Sequence, residues 1–105
     1  MEEGYRIQAR LVKALAHPTR LQMLALLRDG ERCACEFGPL LDLGQANVSQ
    51  HLAVLRKAHL VDTRRDGARV MYSLSDERVS EVLDTLAHIA RDQFVEAVAA
   101  LEEVA

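Results

Sequence analysis

The sequence has no tryptophan, and its aromatic residues are two tyrosines and two phenylalanines. A core built from these 105 residues must therefore be filled mainly by leucine, valine and alanine. No apolar run approaches the roughly 18–20 residues needed to span a bilayer, so no membrane partner is expected. Internal repeats, low-complexity stretches and linkers are all absent, and the length suits a single domain over residues 1–105. The first ten residues, MEEGYRIQAR, lack the basic start and apolar stretch of a signal peptide, which points to a cytoplasmic protein. Cysteines are scarce. Cys33 and Cys35 do not make a disulfide framework, and in a reducing compartment they are expected to be free thiols or ligands. No Ser/His/Asp set, Gly-rich phosphate loop or paired-carboxylate signature stands out, so neither an enzyme nor an organic cofactor is expected.

Positive charge is also short overall, at a formal net of −3, but it is unevenly spread. Residues 52–74 carry Arg56, Lys57, Arg64, Arg65 and Arg69 against Asp62 and Asp66. Residues 75–105 carry eight acidic side chains against Arg78 and Arg91. A basic middle can present a positive face to phosphates in an acidic chain, although the same charges could be an ordinary solvated face.

Residues 3–15 place Tyr5, Ile7, Leu11, Val12 and Leu15 near one side of a helix. His17 then precedes Pro18, which suits a first helical residue because its missing N–H is not needed there. The second helix should run to about Arg28 and end at Asp29-Gly30. Phe37 to Leu60 reads as two helices with a tight turn between them. In the second of these, Val48, Leu52 and Leu55 form the buried stripe, which leaves Gln45, Asn47, Ser49, Gln50 and His51 near an exposed N-terminal end. The recognition helix of a helix-turn-helix meets base edges in that way. After Leu60 the pattern alternates on both sides of Asp66-Gly67, which predicts a hairpin with a type I′ turn. Such a wing would carry Arg64, Arg65 and Arg69 toward phosphate or the minor groove, with Arg56 also at the backbone. Asp76 to about Glu103 reads as a last helix with a possible break near Arg91. Its apolar stripe, Val79 to Leu101, is too long for so small a core, so a second copy is expected to cover it together with the N-terminal helix.

The run Glu31-Arg32-Cys33-Ala34-Cys35-Glu36-Phe37, then Val48-Ser49-Gln50-His51-Leu52, Leu55-Arg56 and Leu60-Val61, resembles the ArsR/SmtB family of metal-sensing repressors. Leu15-Ala16-His17-Pro18-Thr19-Arg20-Leu21 and the wing Asp66 to Leu74 are similar to it as well. The resemblance covers roughly residues 10–76 and implies a mainly α, homodimeric winged helix-turn-helix with a small β-hairpin wing. It further implies repression at an inverted repeat in double-stranded operator DNA and release on binding an inducer. Family members that sense arsenite carry a C-x-C at the position of Cys33 and Cys35. A third cysteine often follows in such sensors, where Gly38 stands here, and the next residue is Pro39. Asp42 and His59 occupy two positions that are commonly glycine in the family. Both residue types are enriched among non-glycine residues at positive φ.

The resemblance makes As(III) or Sb(III) the expected inducer at Cys33 and Cys35, with Cd, Zn or Pb as alternatives. On a regular helix, residues two apart point about 200° from one another. Pro39 cannot donate to the carbonyl of Cys35, so the helix is expected to start at or after Glu36, leaving both thiols in extended or irregular chain. A third donor would have to be a small thiol, water or hydroxide. A disulfide across C-x-C would close a small strained ring, which places oxidation or uptake of sulfur species second. Burial of both cysteines as small hydrophobes, and a winged helix used for protein contacts, are the remaining alternatives. The family's other sensor location, on the C-terminal helices, would need Asp76 with a histidine where Arg78 stands. His88 and Asp92 fit a solvated helix face better than a site. His17 is expected as a cap and His59 as a turn residue.

Overall fold

The computed structural model describes residues 2–104. Five helices and three short strands follow one another as α1 (Glu2–Leu15), α2 (Pro18–Leu27), β1 (Arg32–Cys33), α3 (Ala34–Leu41), α4 (Gln45–Lys57), β2 (Val61–Asp66), β3 (Arg69–Leu74) and α5 (Arg78–Val104). Phe37, Met23, Leu24, Leu52, Leu55 and Val48 are the largest wholly buried side chains. They come from α2, α3 and α4, so these three helices share one core.

Local chemistry explains the helix boundaries. His17 caps α2, its Nδ1 accepting the Thr19 N–H at 3.1 Å, with Pro18 as the first helical residue. Asp42 ends α3 in the left-handed region at φ 54°, and His59 turns the chain into β2 at φ 60°. Both stand where an L side chain of this type is tolerated. Gly38 has a packing reason to be glycine, since a Cβ there would lie 3.0 Å from the Leu43 carbonyl oxygen. That oxygen belongs to the residue whose N–H donates to Gly38 O and closes the end of α3. A third cysteine at position 38 would need this turn to give by a few tenths of an ångström.

Three expectations are corrected. First, α3 begins at Ala34, ahead of Glu36. The Cys33 N–H donates to a Glu36 carboxylate oxygen at 2.7 Å, and Cys33 Sγ accepts the Cys35 N–H at 3.1 Å, so the exposed donors of the first turn are satisfied without moving the start downstream of Pro39. Second, the hairpin loop is Gly67-Ala68, because Asp66 pairs with Arg69. Positive φ falls on Gly67 and not on Ala68 or Asp66, which suits glycine first in a two-residue loop and excludes type I′. Third, α5 runs unbroken through Arg91 for 27 residues, about 40 Å at 1.5 Å per residue.

The sheet is larger than a hairpin. Its order is β1-β3-β2 and all pairs are antiparallel, with Arg32 opposite Tyr72 and Cys33 opposite Met71. The cysteine segment is therefore a strand of the wing sheet. No helix among the described residues is long and apolar enough to cross a membrane.

Candidate nucleic-acid interface and thiol pair

Helix α4 separates its side chains by face. Val48, Leu52 and Leu55 are buried, while Gln45, Asn47, Ser49 and Gln50 are exposed along the N-terminal half. Gly44 starts the helix without a side-chain cap, so its first N–H groups stay available to an acceptor such as a phosphate oxygen. Arg56 and Lys57 occupy the last turn. Ser49, Ala53, Arg56 and Lys57 line one side of a groove of about 490 Å³, and Ala34 and Tyr72 face them from α3 and the wing. Lys57 and Tyr72 thus stand beside the expected site residues. Sequence pattern had assigned them only to a basic stretch and an alternating strand, although Lys57 directly follows Arg56.

His51 differs from its neighbours on α4. It is half-buried, its ring centroid 4.3 Å from that of His17, and its Nδ1 lies 3.3 Å from an Arg20 guanidinium nitrogen. Burial first, then His17 and Arg20, hold its pKa below the ordinary histidine value. Arg20 also donates to the carbonyls of Ala14 at 2.6 Å and Lys13 at 3.2 Å, so one guanidinium joins the end of α1 to α4.

The wing arginines are not equivalent. Arg64 makes two hydrogen bonds to Glu31, from Nε at 2.7 Å and Nη2 at 2.6 Å. Arg69 pairs with Asp66 inside the hairpin at 3.2 Å. Arg65 has no ion pair among the described residues, and the same holds for Arg56 and Lys57. Glu31 is a functional candidate that sequence reading missed, because 33 positions separate it from its partner.

Cys33 is buried and Cys35 exposed. Their sulfurs are bonded to each other, contrary to the expected free pair. The 200° argument applies to two residues inside one helix. Cys33 lies just outside it in extended backbone, at φ −67° and ψ 141°, so its Sγ folds back over the first turn and reaches Cys35. Among the described residues no third His, Cys, Asp or Glu joins them in a metal-holding group. The C-terminal location offers less. The Asp76 carboxylate is taken by the Arg78 guanidinium and N–H, which hold its pKa at about 2. His88 and Asp92 line a shallow groove with Arg91, Val95 and Glu96.

Apart from Leu40 on α3 and Val54 on α4, the exposed large apolar residues lie elsewhere. Tyr5, Ile7 and Val12 on α1 and Val82, Leu86, Ile89, Phe94, Val95, Val98 and Leu101 on α5 are open to solvent in the single chain. A groove of about 760 Å³ runs between the two helices past Leu11, Leu15 and Val79.

The sequence model described as "Bacterial regulatory protein, arsR family" matches residues 17–63. A biofilm growth-associated repressor of Agrobacterium fabrum is 38% identical over 86 residues, which is 82% of this chain and 74% of the relative. The transcriptional activator HlyU of Vibrio cholerae is 40% identical over 86 residues, covering 82% and 80%. A solved fragment from Mycobacterium bovis superposes with a TM-score of 0.80 at 31% identity, over 87% of this chain and 84% of the fragment. It is described as a homodimeric winged helix-turn-helix DNA-binding domain of a possible ArsR-family regulator. These relatives are transcriptional regulators, not enzymes, and they include both a repressor and an activator.

Proposed function

This chain belongs to the arsR family of bacterial regulatory proteins, and we propose that it is a homodimeric repressor whose operator affinity is set by Cys33 and Cys35. The observation that carries DNA binding is the two-faced α4. Val48, Leu52 and Leu55 are buried, its polar N-terminal half is exposed, and Arg56, Lys57 and Arg65, which have no ion pair among the described residues, lie on α4 and the wing. Gln45, Asn47, Ser49 and Gln50 would meet base edges in the major groove of an inverted repeat. His51, packed against His17, would set the helix's seat more than touch a base. The apolar faces of α1 and α5 supply the dimer interface, a reading supported by the homodimeric relative.

Each thiol can replace one hydroxide of As(OH)3 and release it as water, leaving a dithiolate with one hydroxide. Once the pair is reduced, its two thiolates at the first turn of α3 favour a soft, thiophilic centre such as As(III) or Sb(III). A second reading has its own observation, the bond between the sulfurs. In it a peroxide takes two electrons and two protons from the thiols, which become a disulfide while the peroxide becomes water. Either closure constrains the first turn of α3, whose far end is bonded to Leu43 just before α4. A ligand weakens DNA binding only through its differential affinity for the two shapes, typically by about 5- to 150-fold.

The deciding experiment is a gel shift on an inverted-repeat operator, adding arsenite, antimonite, cadmium, zinc and peroxide separately. The Cys33→Ser and Cys35→Ser variants should bind the operator and ignore the effective inducer. Release from both variants as readily as from the parent would place the switch elsewhere.

A further inference from the structure

The geometry points to Glu31 as the residue that withholds Arg64 from DNA, so that the cysteine segment sets affinity through the wing as well as through α3. This inference rests on the DNA-binding reading above. Its starting point is the register of the sheet. Cys33 lies opposite Met71 on β3, and Met71 lies opposite Arg64 on β2. The three residues form one row across the wing, two strand spacings or about 10 Å wide. From the far end of that row the Arg64 side chain returns across β3 to Glu31, two residues before Cys33.

The chemistry of the contact is that of phosphate capture. Both carboxylate oxygens of Glu31 accept from the guanidinium, at 2.6 and 2.7 Å, and so occupy its Nε/Nη2 edge, one of the two edges a phosphate can engage. Glu31 is a built-in competitor for the DNA backbone. Arg64 is about half exposed, so solvent screens the pair and a phosphate can displace the carboxylate at modest cost. The other wing cations are not under this control. Arg69 is paired within its own hairpin, and Arg65 has no ion pair among the described residues.

The state with joined sulfurs is also the state with Arg64 captured. Closing the thiols holds the 31–36 segment in the shape that presents Glu31 to Arg64. Opening them removes the covalent restraint and leaves the segment to its sheet pairing and capping bonds, which lets Glu31 yield the cation to phosphate more readily. Glu31 is thus a positioning residue for the wing, acting through Arg64 and not through any contact with the DNA.

The test measures binding of the full chain to a random-sequence duplex at several salt concentrations, after peroxide treatment and after reduction. With the thiols closed, Glu31→Gln should tighten binding by up to about fivefold for each clamp released. It should also steepen the log–log salt dependence by about one per protomer. The gain should shrink in the reduced protein and vanish in an Arg64→Gln background. An unchanged salt slope in Glu31→Gln would overturn the inference. An equal gain with and without Arg64 would also overturn it, since removing any nearby negative charge would then suffice. If the parent binds duplex DNA and only these differences fail, the clamp is wrong and the DNA-binding reading stands. If the parent binds no duplex at any salt, both fall.

Discussion

The chain's two phenylalanines sit in opposite circumstances. Phe37, on α3, is wholly buried among α2 and α4, whereas Phe94, on α5, is 69% exposed. Around Phe37 most large apolar residues are hidden, Leu40 and Val54 excepted, and the surface of α4 offers mainly amides and cations. Around Phe94 the apolar residues are displayed, with Ile89, Val95, Val98 and Leu101 open to solvent. The winged region therefore completes its core within one chain and turns a polar, partly cationic surface outward, suited to a polyanion. The terminal helices leave their apolar surface uncovered, suited to a second copy. One sequence carries two kinds of incompleteness, and each calls for a different partner.

Substitutions at the two phenylalanines should separate these regions most strongly. Phe37→Ala should cost about 3–5 kcal/mol of folding stability, read from denaturant unfolding. Phe94→Glu should leave the helical circular dichroism intact while raising the dimer dissociation constant at least about 30-fold, the range of an interface hot spot. A Phe94→Glu chain that sediments as tightly paired as its parent would remove α5 from the interface and end the comparison.

The polar surface can be divided further by what it contacts. Replacing Gln45, Ser49 and Gln50 together by alanine should abolish operator preference, each good base contact contributing about 1–3 kcal/mol. Non-specific binding should persist. Preference that survives all three changes would mean that α4 does not read the groove. By contrast, Arg56→Ala should weaken operator and random duplex alike and flatten the salt slope by about one per protomer. Arg69→Ala, whose guanidinium is already paired with Asp66, should do less than Arg56→Ala in the same titration.

The smallest expected effect concerns His51. Its pKa is lowered in the folded chain by burial and by the nearby His17 and Arg20, so the unfolded chain binds the proton more readily. The stability this confers is complete above the ordinary histidine pKa and is lost as pH falls below it. Melting temperature should therefore decline on acidification through that window, and less steeply in His51→Gln. Parallel declines in the two proteins would show that the pH dependence arises elsewhere.

Much of this architecture was legible in the chain. The stripe Val48, Leu52 and Leu55, the cap at His17 and the tolerance of Asp42 and His59 for positive φ are local matters of period and backbone preference. The hairpin was legible too, although its loop sits one residue later than the Asp-Gly pair suggests. The start of α3 was not, because a prohibition at Pro39 was outweighed by reciprocal capping between Cys33 and Glu36.

What the sequence by itself determined is the helices, the hairpin and their faces: which helix would show amides and which would show valine and leucine. Those properties follow from side chains three or four apart on one helix, or two apart on one strand. The tertiary structure alone decided that the cysteine segment is a strand of the wing, that Arg64 is held by Glu31, and that His51 packs on His17. Each of these contacts joins residues 30 or more positions apart. No local preference encodes such a pairing, which appears only once the shared core around Phe37 has brought the elements together.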